Sequence, residues 1–136
     1  MKYLADTNLV SEVMKRRPDR RVSAWFERHD AEIGLPALVL AELADGAAKH
    51  PDEGRRRELL DEVRAIAAQF DERIIPFASE AALVWGELKV SAAAKRLPAP
   101  LFDSLIEATA LAQGLAIATR NARDFRQAAT VNPWES

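Results

Sequence analysis

Apolar positions along this chain alternate between short runs and helical repeats. Tyr3-Leu4-Ala5 is a short apolar run closed by Asp6-Thr7-Asn8, residues that favour helix caps, and Leu9, Val10, Val13 and Met14 then recur at helical spacing. The pattern predicts a strand running straight into a helix, which Pro18 ends. Asp19 can cap a second helix whose apolar side carries Val22, Trp25 and Phe26. Ile33-Gly34-Leu35 reads as a buried strand, and Pro36, suited to a first helical turn, opens a helix from Ala37 to about Lys49 with Glu42 inside it.

Pro51-Asp52-Glu53-Gly54 reads as a loop. From Arg55 to about Phe70 the apolar face of a helix carries Leu59, Leu60, Val63, Ile66 and Ala67, opposite a charged face. Ile74-Ile75-Pro76-Phe77 predicts a short strand, and Ser79-Glu80 begins a helix through Leu83, Val84, Trp85 and Leu88. Leu97 to Pro100 predicts a loop; Leu101 to Gln113 is helical, with Gly114 as its stop. Ala116 to Thr119 is a further buried strand, Arg120 to Asp124 a turn, and Thr130-Val131 a last strand. Strands alternating with helices imply an α/β class: a three-layer α/β/α domain around a central, mainly parallel sheet. No linker, repeat or low-complexity stretch divides the 136 residues, which are expected to form one domain.

Charge narrows the function classes. With 19 basic and 21 acidic residues the net charge is −2, so no global positive field draws the chain to nucleic acid or membrane, and any nucleic-acid contact must be local. The absence of cysteine excludes disulfides, thiolate metal sites and cysteine nucleophiles, and suits a cytoplasmic setting. Asp6 interrupts the first apolar run well short of a signal peptide's core, and no run is long enough to span a bilayer. His29 and His50 lie far apart and read as surface residues, which argues against zinc.

Four carboxylates carry the candidate chemistry. Asp6 follows the first strand, Asp103 falls in the first turn of its helix, Asp124 follows the Ala116–Thr119 strand, and Glu42 needs only a helix packed nearby. In open α/β sheets the ligand site lies beyond the carboxyl ends of the strands, where Asp6 and the segment from Thr119 to Asp124 should meet. Hard divalent cations take oxygen ligands and can activate water against a phosphodiester. Singly, each acid is also an ordinary helix cap, solvated helix residue or turn former.

The local phrases around them resemble the PIN-domain ribonucleases: Leu4-Ala5-Asp6-Thr7-Asn8-Leu9-Val10-Ser11-Glu12, Ala41-Glu42-Leu43 with Gly46, Leu101-Phe102-Asp103-Ser104-Leu105-Ile106 with Ala108-Thr109-Ala110, and Ala118-Thr119-Arg120-Asn121 with Asp124-Phe125. The closing Asn132-Pro133-Trp134 also resembles the VapC-like toxins of toxin–antitoxin pairs, especially their FitB-like branch. The resemblance implies that Asp6, Glu42, Asp103 and Asp124 bind magnesium or manganese and cleave RNA by metal-activated water. Thr7 and Thr119 match positions whose hydroxyls support a ligand or bound water. Asn121 stands where many PIN domains carry an acid, and Asp124 follows one helical turn later, so either could complete the site. Glu107, one turn beyond Asp103, stands where a small residue is expected; it reads as an exposed or ion-paired glutamate, or as a carboxylate behind the ligands.

The resemblance further implies a homodimer and a small antitoxin that also binds DNA. Lys15-Arg16-Arg17, Arg20-Arg21 and Arg55-Arg56-Arg57 could neutralise RNA phosphates, or could simply be solvated helix faces or meet an acidic partner. The alternative to an enzyme is a catalytically weak PIN-like protein that acts through its antitoxin in a DNA-binding regulatory complex. Convergence of the four acids on one cavity separates the two.

Overall fold

A computed structural model describes residues 1–94 and 99–135. Five strands, β1 (Tyr3–Ala5), β2 (Ile33–Pro36), β3 (Ile74–Ile75), β4 (Ala116–Ala118) and β5 (Thr130–Val131), form one sheet in the order β3-β2-β1-β4-β5, with every pair parallel. Six α-helices connect them: α1 (Thr7–Met14), α2 (Arg20–His29), α3 (Ala37–Ala48), α4 (Glu53–Phe70), α5 (Ser79–Ala94) and α6 (Leu101–Gln113). Right-handed crossovers put the β1–β2 and β2–β3 connections on one face and the β3–β4 connection on the other, which gives the three expected layers.

The sheet is short but wholly internal at its centre. Leu4, Ile33, Leu35 and Ile117 are fully buried, joined by Leu9, Val10 and Val39 from one helical layer and Ile106 from the other. Each such side chain contributes roughly 1.5–3 kcal/mol of burial free energy. Gly34 lets β2 and β3 pack closely, since a Cβ there would stand 2.6 Å from Ile75 Cδ1.

Helix ends follow the capping chemistry of the sequence. Asp6, Asp19 and Asp52 accept the backbone N–H groups of Leu9, Arg21 and Arg55 at 2.9, 2.8 and 2.7 Å. The Asp52 cap starts α4 at Glu53, inside the expected loop. Gly114 closes α6 with φ +68°, the left-handed turn for which glycine is suited.

Other departures have local causes. Pro36 ends β2 in extended geometry instead of entering a first helical turn, and the third strand stops at Ile75 because Pro76 has no N–H to continue the ladder. Leu83 is 74% exposed, so Ala81 and Leu88 carry the buried side of α5 instead. His29 is half-buried, its ring 5.1 Å from Tyr3 and 4.8 Å from Trp25. Of the expected 97–100 loop, Leu97 and Pro98 lie outside the described residues; Ala99 and Pro100 belong to no helix or strand. No helix among the described residues is long and apolar enough to cross a membrane.

Candidate active site

The strand order reverses direction between β1 and β4, and the crevice beyond this switch is where a parallel sheet leaves room for a ligand. Register pairs Ala5 with Ala118, so Asp6 and Thr119 emerge side by side. The Asp6 N–H donates to Ala118 O at 3.3 Å, while the Thr119 hydroxyl donates to the Asp6 carboxylate. Thr119 is fully buried and also accepts the N–H of Asn121 at 3.0 Å, which turns the chain sharply as it leaves β4.

Burial raises the pKa of Asp6 above the usual aspartate value; the hydrogen bonds from Thr119 and Leu9 oppose that rise, and the negative charge of Glu42 adds to it. Glu42 reaches the same crevice from the middle of α3. Thr7, the first residue of α1, donates its hydroxyl to Glu42 Oε1 at 2.6 Å. Both threonine hydroxyls are thus engaged with the acids themselves, one holding Asp6 and the other Glu42.

Asp103 enters from the first turn of α6, which packs against α3. Its pKa is pushed up to about 6, first by burial and then by the charges of Asp124, Glu42 and Asp6. Four carboxylates from four separate segments therefore share one field, and among the described residues none of the groups acting on Asp103 is a cation. Asp124, at the end of the 3-10 turn Ala122–Asp124, is the acid that weighs most on Asp103. Asn121 instead lines a neighbouring cavity with Asn8, Ser11 and Arg120.

A raised aspartate pKa makes this field a stability effect. The folded protein binds the Asp103 proton more tightly than the unfolded chain, so the metal-free fold loses stability as pH rises from 3.8 through about 6. Because the group is only half-buried, the loss amounts to about 1 kcal/mol after solvent screening. Asp103→Asn should flatten this part of the pH profile, and it should raise the metal-free urea midpoint at pH 7 but not at pH 4. An unchanged midpoint at pH 7 would show that the four charges do not interact as the geometry requires.

The donor set suits a hard cation in kind, being all carboxylate and hydroxyl oxygen. Among the described residues no three acids close around a single point tightly enough to hold an ion as they stand. Magnesium, however, keeps most of its water and takes one or two carboxylates directly, so a water-rich site needs no such closed cage. The charges of Asp124, Glu42 and Asp6 that act on Asp103 are the stronger observation, because they place four carboxylates within one another's field.

Glu107 corrects the surface assignment made from spacing. It is 1% exposed, and its Oε2 accepts the N–H groups of both Gln127 (2.9 Å) and Ala128 (3.0 Å). The segment leading to β5 returns over α6, and its inward amides need an acceptor that helix periodicity cannot foresee. Glu12, quoted above without a role, is also buried and binds Lys15 at 3.0 Å and the Asp19 N–H at 3.1 Å. Lys15 stands at the i,i+3 spacing of a helical ion pair, whereas Asp19 lies beyond the helix end, where no spacing rule signals it.

A parallel sheet with carboxylates gathered beyond its switch point defines the PIN-like class of α/β fold. The PIN-domain family model matches residues 3–131, and the chain belongs to the PIN-domain family. It is 34% identical over 134 residues to VapC ribonuclease Y4jK of Sinorhizobium fredii, covering 96% of each chain. Toxin FitB of Neisseria gonorrhoeae is 33% identical over 136 residues, covering 96% of this chain and 97% of that one. Among solved structures, FitAB bound to the IR36 DNA fragment superposes with a TM-score of 0.86 at 29% identity, covering 97% of this chain and 95% of that one.

Proposed function

We propose that this protein is the endoribonuclease toxin of a toxin–antitoxin pair, and that it depends on magnesium or manganese. The observation that carries the reading is the gathering of Asp6, Glu42, Asp103 and Asp124 from four segments at the carboxyl end of the sheet, close enough that burial and then the charges of Asp124, Glu42 and Asp6 raise the pKa of Asp103. Likeness to a VapC ribonuclease and to toxin FitB over nearly the whole chain supports the same activity.

Asp6 and Asp103 are the residues to hold the cation, with Glu42 and Asp124 completing the negative pocket. A bound divalent ion supplies water activation and charge neutralisation at the phosphodiester. The protein's own share is orientation. The Leu9 N–H and the Thr119 hydroxyl fix Asp6, and Thr7 fixes Glu42, so neither carboxylate must be ordered when substrate arrives. Without a cation the pocket repels RNA.

Purified protein should therefore cleave single-stranded or structured RNA with magnesium or manganese, leave a 5′-phosphate, and stop in excess EDTA. Undiminished cleavage in EDTA would sink the metal reading. A protein that binds its partner but shows no cleavage under any divalent ion would be the partner-binding protein instead.

The proposed partners are a second copy of the chain and a small antitoxin, in an assembly that also binds DNA; the likeness to the DNA-bound FitAB structure supports this. An antitoxin arginine entering the acidic crevice would take the cation's electrostatic place. Antitoxin affinity should then fall as magnesium is raised. Affinity indifferent to magnesium would mean that inhibition works by blocking RNA access.

A further inference from the structure

Beside the acidic crevice lies a second cavity of about 320 Å³, walled by Asn8, Ser11, Glu12, Lys15, Arg120, Asn121 and Trp134. Of its two cations, Lys15 is already committed to Glu12 at 3.0 Å. Arg120 is not. Among the described residues its guanidinium meets no carboxylate, and its recorded contact is the face of Trp134, 5.4 Å from the ring centroid. A cation–π contact of this kind does not use the five N–H donors of a guanidinium.

The backbone that carries Arg120 is also fixed. It sits between Thr119, which holds Asp6, and Asn121, whose N–H binds the Thr119 hydroxyl at 3.0 Å. The platform beneath it is also fixed, since Trp134 is buried and its backbone N–H donates to Asn132 Oδ1 at 2.9 Å. A guanidinium on a fixed stretch of backbone, beside the neutral hydrogen-bonding groups of Asn8, Ser11 and Asn121 and a Glu12 carboxylate neutralised by Lys15, suits a compact oxyanion. A nucleobase would need an open aromatic face, and Arg120 already covers that of Trp134.

We propose that this cavity seats an RNA backbone phosphate adjacent to the scissile one, bound by Arg120 with Asn8, Ser11 and Asn121. The proposal rests on the ribonuclease reading and deepens it. A polyanion meets four carboxylates at this end of the sheet, and Arg120, which among the described residues pairs with no carboxylate, directly follows the Thr119 that holds Asp6. The phosphate would thereby hold the strand in register across the crevice.

The test uses the Asp103→Asn protein, in which RNA should stay intact, and measures binding of a short fluorescent RNA by anisotropy in magnesium. Adding Arg120→Ala, or Arg120→Gln as a second uncharged replacement, should weaken binding about tenfold and make the salt dependence shallower by about one phosphate contact. The thermal midpoint should not move, because the side chain is exposed. Neutral methylphosphonates placed one at a time along the RNA should reveal one position, next to the cleaved bond, that weakens binding to Asp103→Asn by the same factor. At that position the Arg120 variants should show no further loss.

Unchanged RNA affinity in both Arg120 variants would overturn the proposal, as would a methylphosphonate profile identical with and without Arg120. So would a loss confined to binding of the antitoxin, which would assign the cavity to an acidic protein side chain. If wild type neither binds nor cleaves any RNA, the ribonuclease reading itself falls and this inference with it.

Discussion

Replacing Asp103 with asparagine should lower the rate of RNA cleavage by about 10³-fold or more while leaving the fold intact. The amide keeps the shape of the side chain but removes a charge from the cation's binding field, and losing several kcal/mol of transition-state stabilisation corresponds to that factor. Asp6→Asn should behave alike, for asparagine caps a helix as well as aspartate and can still accept the Leu9 N–H. The measurement is single-turnover cleavage across a magnesium titration, with circular dichroism as the control on folding. A folded variant that keeps a tenth or more of wild-type activity would remove its carboxylate from the proposed mechanism.

Glu107→Ala should destabilise the fold strongly for a single change near the site, costing about 2 kcal/mol. Two part-buried amides, those of Gln127 and Ala128, would lose their shared acceptor, and an unsatisfied group costs roughly 1–3 kcal/mol, the lower end applying where water has partial access. Glu107→Gln offers an amide oxygen in the same place and should recover at least half of the loss. Urea unfolding gives the free energies, and hydrogen exchange at Gln127 and Ala128 reports whether the damage is local. Equal stability of the alanine variant would show that water replaces the carboxylate at no cost.

Sequence patterning made the scaffold legible because each element advertises itself within a few residues. Tyr3-Leu4-Ala5 followed by three cap-forming residues specifies a strand entering a helix, and Gly114 marks a helix end, wherever the rest of the chain goes. Strand-end reasoning also located Asp6 and the segment after Thr119, since it depends only on the sheet being parallel. Glu42 was different. Nothing within α3 distinguishes it from a solvated glutamate, and only the order of phrases shared with a family drew attention to it.

Harder still were residues defined by what folds over them. Glu107 has the spacing of an exposed helix residue until the 125–129 segment returns to cover it. Arg120 stood inside a quoted phrase without a role, because its significance comes from Trp134, which approaches from the far end of the sequence. Asn121 and Asp124 competed for one place in the sequence, whereas the structure sends the acid toward Asp103 and the amide toward the neighbouring cavity.

The central position of β1 has a consequence for synthesis. β1 is translated first, yet one of its two flanking neighbours, β4, is among the last strands to be made. The hydroxyl that orients Asp6 arrives with that late strand, so a chain still growing on the ribosome has no assembled pocket. A protein able to destroy RNA would thus remain harmless to the message encoding it until β4 and the residue that follows it have been made.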